Sequence, residues 1–127
     1  MSIAYWCVLA AGVLPYLTVA IAKALGTYDN RDPRAPGTYK GLAHRAYAAH
    51  QNGLETFPFF AVAVLVASGG SAHVTIAVLD TLALAWLGLR LVYIAAYLLD
   101  QPTLRSVAWI IGLFIIVVIF TFPAWHG

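Results

Sequence analysis

The chain has 127 residues, of which 62% are hydrophobic and 9% are charged, and its formal net charge is +2. Soluble domains carry about a quarter charged residues, and so small a charge cannot hold a nucleic-acid backbone, so ordinary soluble, disordered and nucleic-acid-binding proteins are excluded. The remaining class is an all-α integral membrane protein with a single domain over residues 1–127.

Four apolar segments predict a bundle of four transmembrane helices, over residues 3–25, 42–67, 74–99 and 104–125. The first would span about 34 Å at 1.5 Å per residue, which is enough to cross the hydrocarbon core of a bilayer. No basic residue precedes this segment, so we expect a transmembrane helix that stays in the mature protein rather than a signal peptide.

The connecting segments predict an orientation. With four spans, the linkers at residues 26–40 and 100–105 lie on one side of the membrane, and both termini lie on the other. Every Lys and Arg outside the apolar runs falls on the side of these linkers. The positive-inside rule therefore places both linkers in the cytoplasm.

Three charged residues, Glu55, Asp80 and Arg90, lie inside the predicted spans. Insertion of a charged side chain near a helix centre costs roughly 2.5–3.5 kcal/mol, so each of these residues needs an interaction that offsets this free energy. Glu55 and Arg90 both lie about 15 Å from the cytoplasmic ends of their helices, so their side chains can meet. Asp80 lies nearer the opposite end, and we expect its partner on the first or the fourth helix.

Helical spacing adds polar neighbours to Glu55 and Arg90. At 100° per residue, Arg45, Asn52 and Glu55 fall within about 80° of one another on the second helix. The third helix carries a similar face with Arg90, Tyr93 and Tyr97. Two interpretations are open, and both can hold together. Glu55 and Arg90 form a pair that fixes helix register, or the polar groups line a pocket for a small zwitterionic or peptide-like ligand.

The second helix also contains a recognisable motif. Residues 45–58 read Arg-Ala-Tyr-Ala-Ala-His-Gln-Asn-Gly-Leu-Glu-Thr-Phe-Pro and resemble the second-helix signature of the MAPEG family, the membrane-associated proteins of eicosanoid and glutathione metabolism. The stretch from Arg90 through Tyr93 and Tyr97 to Arg105-Ser106 resembles the third helix and following loop of that family. The resemblance covers nearly the whole chain and is closest to small bacterial-type members.

The resemblance implies a homotrimer that binds glutathione between subunits, toward the cytoplasmic side. Asn52 and Glu55 would bind the tripeptide, with Glu55 at its α-amino group. Arg105 would be the catalytic residue, because active members use an arginine at this position to stabilise the glutathione thiolate. The other binding residues would be Lys23, Arg45, Arg90, Tyr93, Tyr97 and Ser106.

The implied function is a membrane-bound glutathione transferase or peroxidase, in the cell inner membrane, acting on lipophilic electrophiles or hydroperoxides. Its partners would be membrane lipids and a small lipophilic substrate, with glutathione as co-substrate. A free thiol has a pKa of about 8.5, so it is mostly protonated at neutral pH, and a nearby guanidinium favours the reactive thiolate. This chemistry needs no metal, and we predict no metal site.

One position departs from the family pattern. Several glutathione-using members have an arginine where this chain has Ala48, and that arginine helps to hold a ligand carboxylate. Loss of one charge-assisted contact costs roughly 1.5–3 kcal/mol. Two alternatives to the enzyme therefore stay open: a non-catalytic lipid-binding accessory protein, and a structural membrane protein that keeps the motif for packing.

Overall fold

The computed structural model describes residues 1–69 and 76–126. These residues form four α-helices: α1 (Ile3–Leu25), α2 (Leu42–Gly69), α3 (Ile76–Leu98) and α4 (Pro102–His126). All four are long and apolar enough to cross a membrane. The predicted all-α, four-helix integral membrane fold is therefore confirmed.

The helix ends differ from the prediction at four places. α2 continues to Gly69, two residues beyond its predicted end, α3 ends one residue early at Leu98, and α4 ends one residue late at His126. α4 begins at Pro102 rather than at Leu104, because proline suits the first position of a helix, where its missing N–H would have no partner anyway. The predicted start of α3 at residue 74 lies outside the described residues.

A tight turn joins α3 to α4. Asp100 has a φ of 57°, and this left-handed residue ends the helix. The Gln101 N–H donates to the Ala96 carbonyl at 2.8 Å, and the Asp100 N–H donates to the Tyr97 carbonyl at 3.2 Å. This pair of bonds forms a Schellman motif, which satisfies the last carbonyls of the helix. The turn brings the end of α3 next to the start of α4.

The centre of the bundle is packed with small residues and one aromatic stack. α2 and α3 each contact all three other helices. The Phe60 ring of α2 stacks on the Trp86 ring of α3, with centroids 3.8 Å apart and planes 8° from parallel. Alanines from three helices fill the space around this stack, as in membrane bundles whose helices pack closely through small side chains. They are Ala4, Ala11, Ala63, Ala67 and Ala83.

Asp80 has a partner at the opposite end of the bundle. Its Oδ1 accepts a hydrogen bond from the Ala4 backbone N–H at 2.8 Å. This N–H belongs to the first turn of α1, where the helix itself supplies no acceptor and where negative charge is favourable. The structure thus confirms the expected partner on the first helix and identifies it as the helix terminus.

α1 and α2 lie close together where Gly53 faces Pro15. A Cβ added at Gly53 would lie 2.9 Å from the Pro15 Cγ, which is closer than such atoms come in proteins. Gly88 on α3 offers a matched position, because an added Cβ there would meet no atom within 4 Å. The contrast between these two helical glycines makes the close approach testable.

We expect Gly53→Ala to lower the free energy of unfolding by about 1 kcal/mol or more, since overpacking outweighs the gain in helix propensity. Gly88→Ala should leave stability unchanged or raise it by up to about 1 kcal/mol. Thermal unfolding of both variants in detergent, followed by circular dichroism, measures the difference. Equal effects of the two substitutions would contradict the close α1–α2 approach.

Candidate functional site

Arg90 lies at the centre of the polar part of the bundle. Its side chain is 6% exposed, and its guanidinium Nη1 donates to the Asn52 Oδ1 of α2 at 2.9 Å. The guanidinium carbon lies 4.2 Å from the centre of the Tyr93 ring. A buried cation needs such partners, because in hydrocarbon nothing else replaces its lost hydration. The Arg90–Asn52 bond therefore fixes the register of α3 against α2.

This bond corrects one of the two interpretations of the polar stripes. One interpretation pairs Glu55 with Arg90, but Asn52, one helical turn earlier, accepts the hydrogen bond instead. Glu55 and Arg90 do line the same cavity, as expected for residues of equal depth on facing helices. In the part of the chain that the structure describes, the Glu55 carboxylate forms no ion pair with Arg90, and its side chain is exposed.

The first of two neighbouring cavities lies between α2, α3 and α4 and is called the central cavity. Its volume is about 240 Å³, and its polar residues are Asn52, Glu55, Thr56 and Arg90. Apolar side chains further along the same helices form the rest of the wall, with Phe59 and Trp109 among them. The central cavity thus combines an acid, an amide and a guanidinium with an apolar wall.

The second cavity, called the Arg105 cavity, lies beside the turn between α3 and α4. It has a volume of about 320 Å³ and is lined by Asn52, Tyr93, Arg105, Ser106, Trp109 and Ile110. The Arg105 guanidinium carbon lies 4.4 Å from the centre of the Tyr97 ring, and the Tyr97 ring meets the Tyr93 ring edge to face at 5.7 Å. These rings hold the start of α4 against the end of α3.

The two cavities share Asn52 and Trp109 as walls. Six of the predicted site residues therefore line this region of two adjoining cavities: Asn52, Glu55, Arg90, Tyr93, Arg105 and Ser106. Tyr97 contacts this region through its ring contact with Arg105. The region offers one carboxylate, two guanidinium groups, an amide, a phenol and two hydroxyls, which is a set suited to a ligand with charges of both signs.

Arg45 and Lys23 lie outside both cavities. The Arg45 Nη2 donates to the Leu98 carbonyl at 3.4 Å, so this side chain joins the start of α2 to the end of α3. Its buried Nε has no hydrogen-bond partner among the described residues. Lys23 is exposed near the end of α1, with its ammonium 4.6 Å from the centre of the Tyr28 ring. Arg45 therefore connects two helices beside the site, and Lys23 lies on the exposed surface at the end of α1.

Trp109 is the main residue that the sequence did not identify. A tryptophan on a membrane helix is ordinarily interpreted as a packing or lipid-facing residue, and Trp86 does pack, with its ring stacked on Phe60. Trp109, however, lines both cavities. Its position four residues after Arg105 was the available signal, because residues four apart lie on the same helix face.

The two histidines near the motif line neither of these cavities. The His50 Nδ1 lies 2.6 Å from the Pro15 carbonyl oxygen, across the close α1–α2 contact. His44 is exposed on the first turns of α2. Over residues 1–69 and 76–126, no three His, Cys, Asp or Glu side chains are grouped so that they could hold a metal ion.

Comparison with protein families identifies the family of the chain. The family model of the MAPEG family matches residues 3–125 of the chain. No curated protein matches the chain.

Proposed function

Because the chain belongs to the MAPEG family, we propose that it is a membrane-bound glutathione transferase or peroxidase acting on lipophilic electrophiles or hydroperoxides. The observation that carries this proposal is the Arg105 cavity, where a guanidinium, a hydroxyl and a phenol line one open space. A cation beside a thiol favours its ionised form, which is the nucleophile. Arg105 has the charge and the position for this role.

The remaining polar groups suit the other functional groups of glutathione. Glu55 offers a carboxylate to the α-amino group of the γ-glutamyl residue. Asn52 lies on the wall between the two cavities, so a peptide bound along both of them would pass its side chain. Tyr93 and Tyr97 would border the thiol end, with Arg105 and Ser106 beside them. The reactive sulfur and the γ-glutamyl end would thus occupy different cavities.

The two proposed reactions need no reactants besides glutathione and the lipophilic substrate. In the transferase reaction, the thiolate attacks the electrophilic carbon, a carbon–sulfur bond forms, and the leaving group departs with its electron pair. In the peroxidase reaction, the thiolate attacks the terminal oxygen of a hydroperoxide and the oxygen–oxygen bond breaks. A second glutathione then displaces water from the sulfenic acid and gives the disulfide, while the alkoxide takes up a proton.

The exposure of Glu55 supports a trimer with the ligand between subunits. A carboxylate about 15 Å deep in a span has a high free energy when it faces lipid. It therefore needs contact with a ligand ammonium or with a neighbouring subunit. We propose a homotrimer in the cell inner membrane, with the linkers at residues 26–40 and 100–105 in the cytoplasm. In that arrangement, Lys23 and Arg45 of one subunit would reach the glutathione of the next.

Turnover by the purified protein tests the proposed function. The protein in detergent micelles is mixed with glutathione and either a nitroaryl halide or an alkyl hydroperoxide, and product is measured above the uncatalysed rate. We expect saturable, enzyme-dependent turnover with glutathione and none with S-methylglutathione, which has no free thiol. Equal rates with and without the protein for both substrate types would contradict the proposal.

Ala48 favours a second candidate function, that of a lipid-binding accessory protein. It supplies no charge one helical turn before Asn52, so a glutathione carboxylate has one partner fewer. The central cavity also has a largely apolar wall. Such a pocket accepts a lipid chain as well as a peptide.

We predict that Ala48→Arg tightens glutathione binding about tenfold or more if the site is a weakened glutathione site, since each tenfold is worth about 1.4 kcal/mol. A glutathione analogue without the γ-glutamyl carboxylate serves as the control ligand. Calorimetric titration of both ligands measures the change. Equal gains for the two would rule out a carboxylate clamp, and unchanged glutathione affinity would favour the accessory protein.

A further inference from the structure

Pro15 leaves one backbone carbonyl of α1 without its helical donor. A proline has no N–H, so the carbonyl of Ala11, one turn earlier, loses its usual hydrogen bond. Ala11 is buried, and Pro15 lies about 15 Å from the end of the helix at Leu25, where lipid offers no donor. A buried carbonyl without a partner destabilises the fold, so the Ala11 oxygen needs a donor from outside its own helix.

A third cavity, called the Pro15 cavity, lies at this place between α1, α2 and α3. Its volume is about 10 Å³, which is room for one water molecule. Ala11, Pro15 and Thr18 of α1 line it, and Arg90 of α3 lines it as well. A buried water also needs about two to four polar partners, so the polar groups around this cavity decide what it binds.

Arg90 and Thr18 supply buried polar side chains at the Pro15 cavity. The Arg90 Nη1 donates to Asn52, but a guanidinium has several further N–H donors. The Thr18 hydroxyl donates to the Pro15 carbonyl at 2.8 Å, so its oxygen keeps lone pairs that can accept a hydrogen bond. Arg90 and Thr18 are only 6% and 3% exposed, so a partner for these groups must lie inside the bundle.

We infer that the Pro15 cavity binds one structural water molecule that bridges Arg90 to α1. The water accepts a hydrogen bond from the Arg90 guanidinium and donates to the Ala11 carbonyl and to the Thr18 oxygen. These three hydrogen bonds are typical of a buried water. They give the freed carbonyl a donor and give the buried cation a second acceptor. Ordered water is one of the ways in which membrane helices satisfy the backbone groups that a proline frees.

The water makes α1 part of the support of the candidate site. Arg90 and Trp86 line both the Pro15 cavity and the central cavity, whereas the described residues of α1 line neither the central cavity nor the Arg105 cavity. Through the water, a helix outside the two larger cavities thus helps to hold the guanidinium in place. This role is independent of the ligand that the central cavity binds, so the inference stands apart from the proposed function.

A high-resolution crystal structure of the unsubstituted protein in a lipid phase tests the water directly. We expect one ordered density peak in the Pro15 cavity, within about 2.7–3.2 Å of an Arg90 nitrogen and of the Ala11 carbonyl oxygen. A Pro15 cavity without density would overturn the inference. A direct hydrogen bond from Arg90 to the Ala11 carbonyl would also overturn it, because the carbonyl would then need no water.

Thr18→Val combined with Arg90→Met tests whether the two side chains share a water in solution. Valine keeps the shape of threonine and removes the hydroxyl. We expect Thr18→Val alone to raise the equilibrium constant for unfolding about tenfold, because the water loses a partner, and only about threefold or less when Arg90→Met is already present. Reversible unfolding in mixed micelles measures both constants.

Thr81→Val is the matched control for this cycle. The Thr81 hydroxyl also donates to a carbonyl of its own helix, that of Ala77 at 2.7 Å, but Thr81 is exposed and lines none of the three cavities. This substitution should change the constant about threefold or less with and without Arg90→Met. Equal effects of Thr18→Val in the two backgrounds would overturn the inference and would leave the proposed function unaffected.

Discussion

Arg105→Ala is expected to lower glutathione turnover by about 10²–10³, since removal of one preorganised group that stabilises developing or ionised charge has effects of this size. The Arg105 side chain lines the cavity and stacks on the Tyr97 ring, so its loss removes both the charge and the contact. The ultraviolet absorbance of bound thiolate should disappear at neutral pH. Glutathione affinity should fall less than turnover, because Asn52 and Glu55 remain.

Two controls make this result specific. Arg105→Lys retains the charge but not the planar guanidinium, and it should keep part of the thiolate signal. Arg34→Ala removes an exposed arginine from the linker between α1 and α2, away from both cavities, and should leave turnover unchanged. Full turnover in Arg105→Ala would show that another group stabilises the thiolate, and the Tyr93 hydroxyl would be the next group to test.

The second large effect concerns the bond between Arg90 and Asn52. Asn52→Leu should lower the free energy of unfolding by about 2–3 kcal/mol, because it leaves a buried guanidinium without its acceptor. Arg90→Met should cost less than that, since Asn52 borders open space and can bind water. The double variant should be more stable than the sum of the single losses predicts, with a coupling of about 1.5–3 kcal/mol.

A second double-mutant cycle distinguishes the observed Arg90–Asn52 pairing from the Arg90–Glu55 pairing suggested by the sequence. Glu55→Gln combined with Arg90→Met should show a clearly smaller coupling than the Asn52 cycle, because Glu55 accepts no hydrogen bond from Arg90. Reversible unfolding in mixed micelles provides the free energies. Additivity within about 0.5 kcal/mol in the Asn52 cycle, or a larger coupling for Glu55, would contradict the observed hydrogen bond.

The sequence was sufficient for the fold because membrane spans obey simple constraints. The bounds of α1 were predicted correctly, since 23 mostly apolar residues lie between the capping Ser2 and the helix end at Leu25. The predicted start of α4 lies two residues too late, because a proline such as Pro102 usually indicates an interruption between helices. Proline interrupts a helix in its interior but is favourable at its first position.

Pairing within the site was harder to predict than membership of the site. Asn52 and Glu55 are three residues apart on one helix face, so spacing alone cannot decide which of them meets Arg90. The choice depends on how far α2 slides against α3, and the contact of Gly53 with Pro15 and the Phe60–Trp86 stack both affect that position. These contacts join distant parts of the chain and leave no periodic pattern in it.

The role of Trp109 and the backbone group that binds Asp80 escaped prediction for a related reason. An apolar residue on a membrane helix faces lipid, a neighbouring helix or a cavity with the same periodicity, and the sequence does not separate these environments. The Asp80 acceptor meets a backbone N–H of α1, which every residue except proline carries. Only the arrangement of the helices determines which backbone group is left free.

Equilibrium binding of glutathione to the detergent-purified protein tests the central claim most directly. Titration calorimetry of the unsubstituted protein should show saturable binding in the micromolar to millimolar range. The Glu55→Gln variant should bind more weakly, because it loses the charge that holds the α-amino group. Absence of saturable glutathione binding, with saturable binding of a fatty acid to the same preparation, would contradict the account and identify the protein as a lipid-binding member of its family.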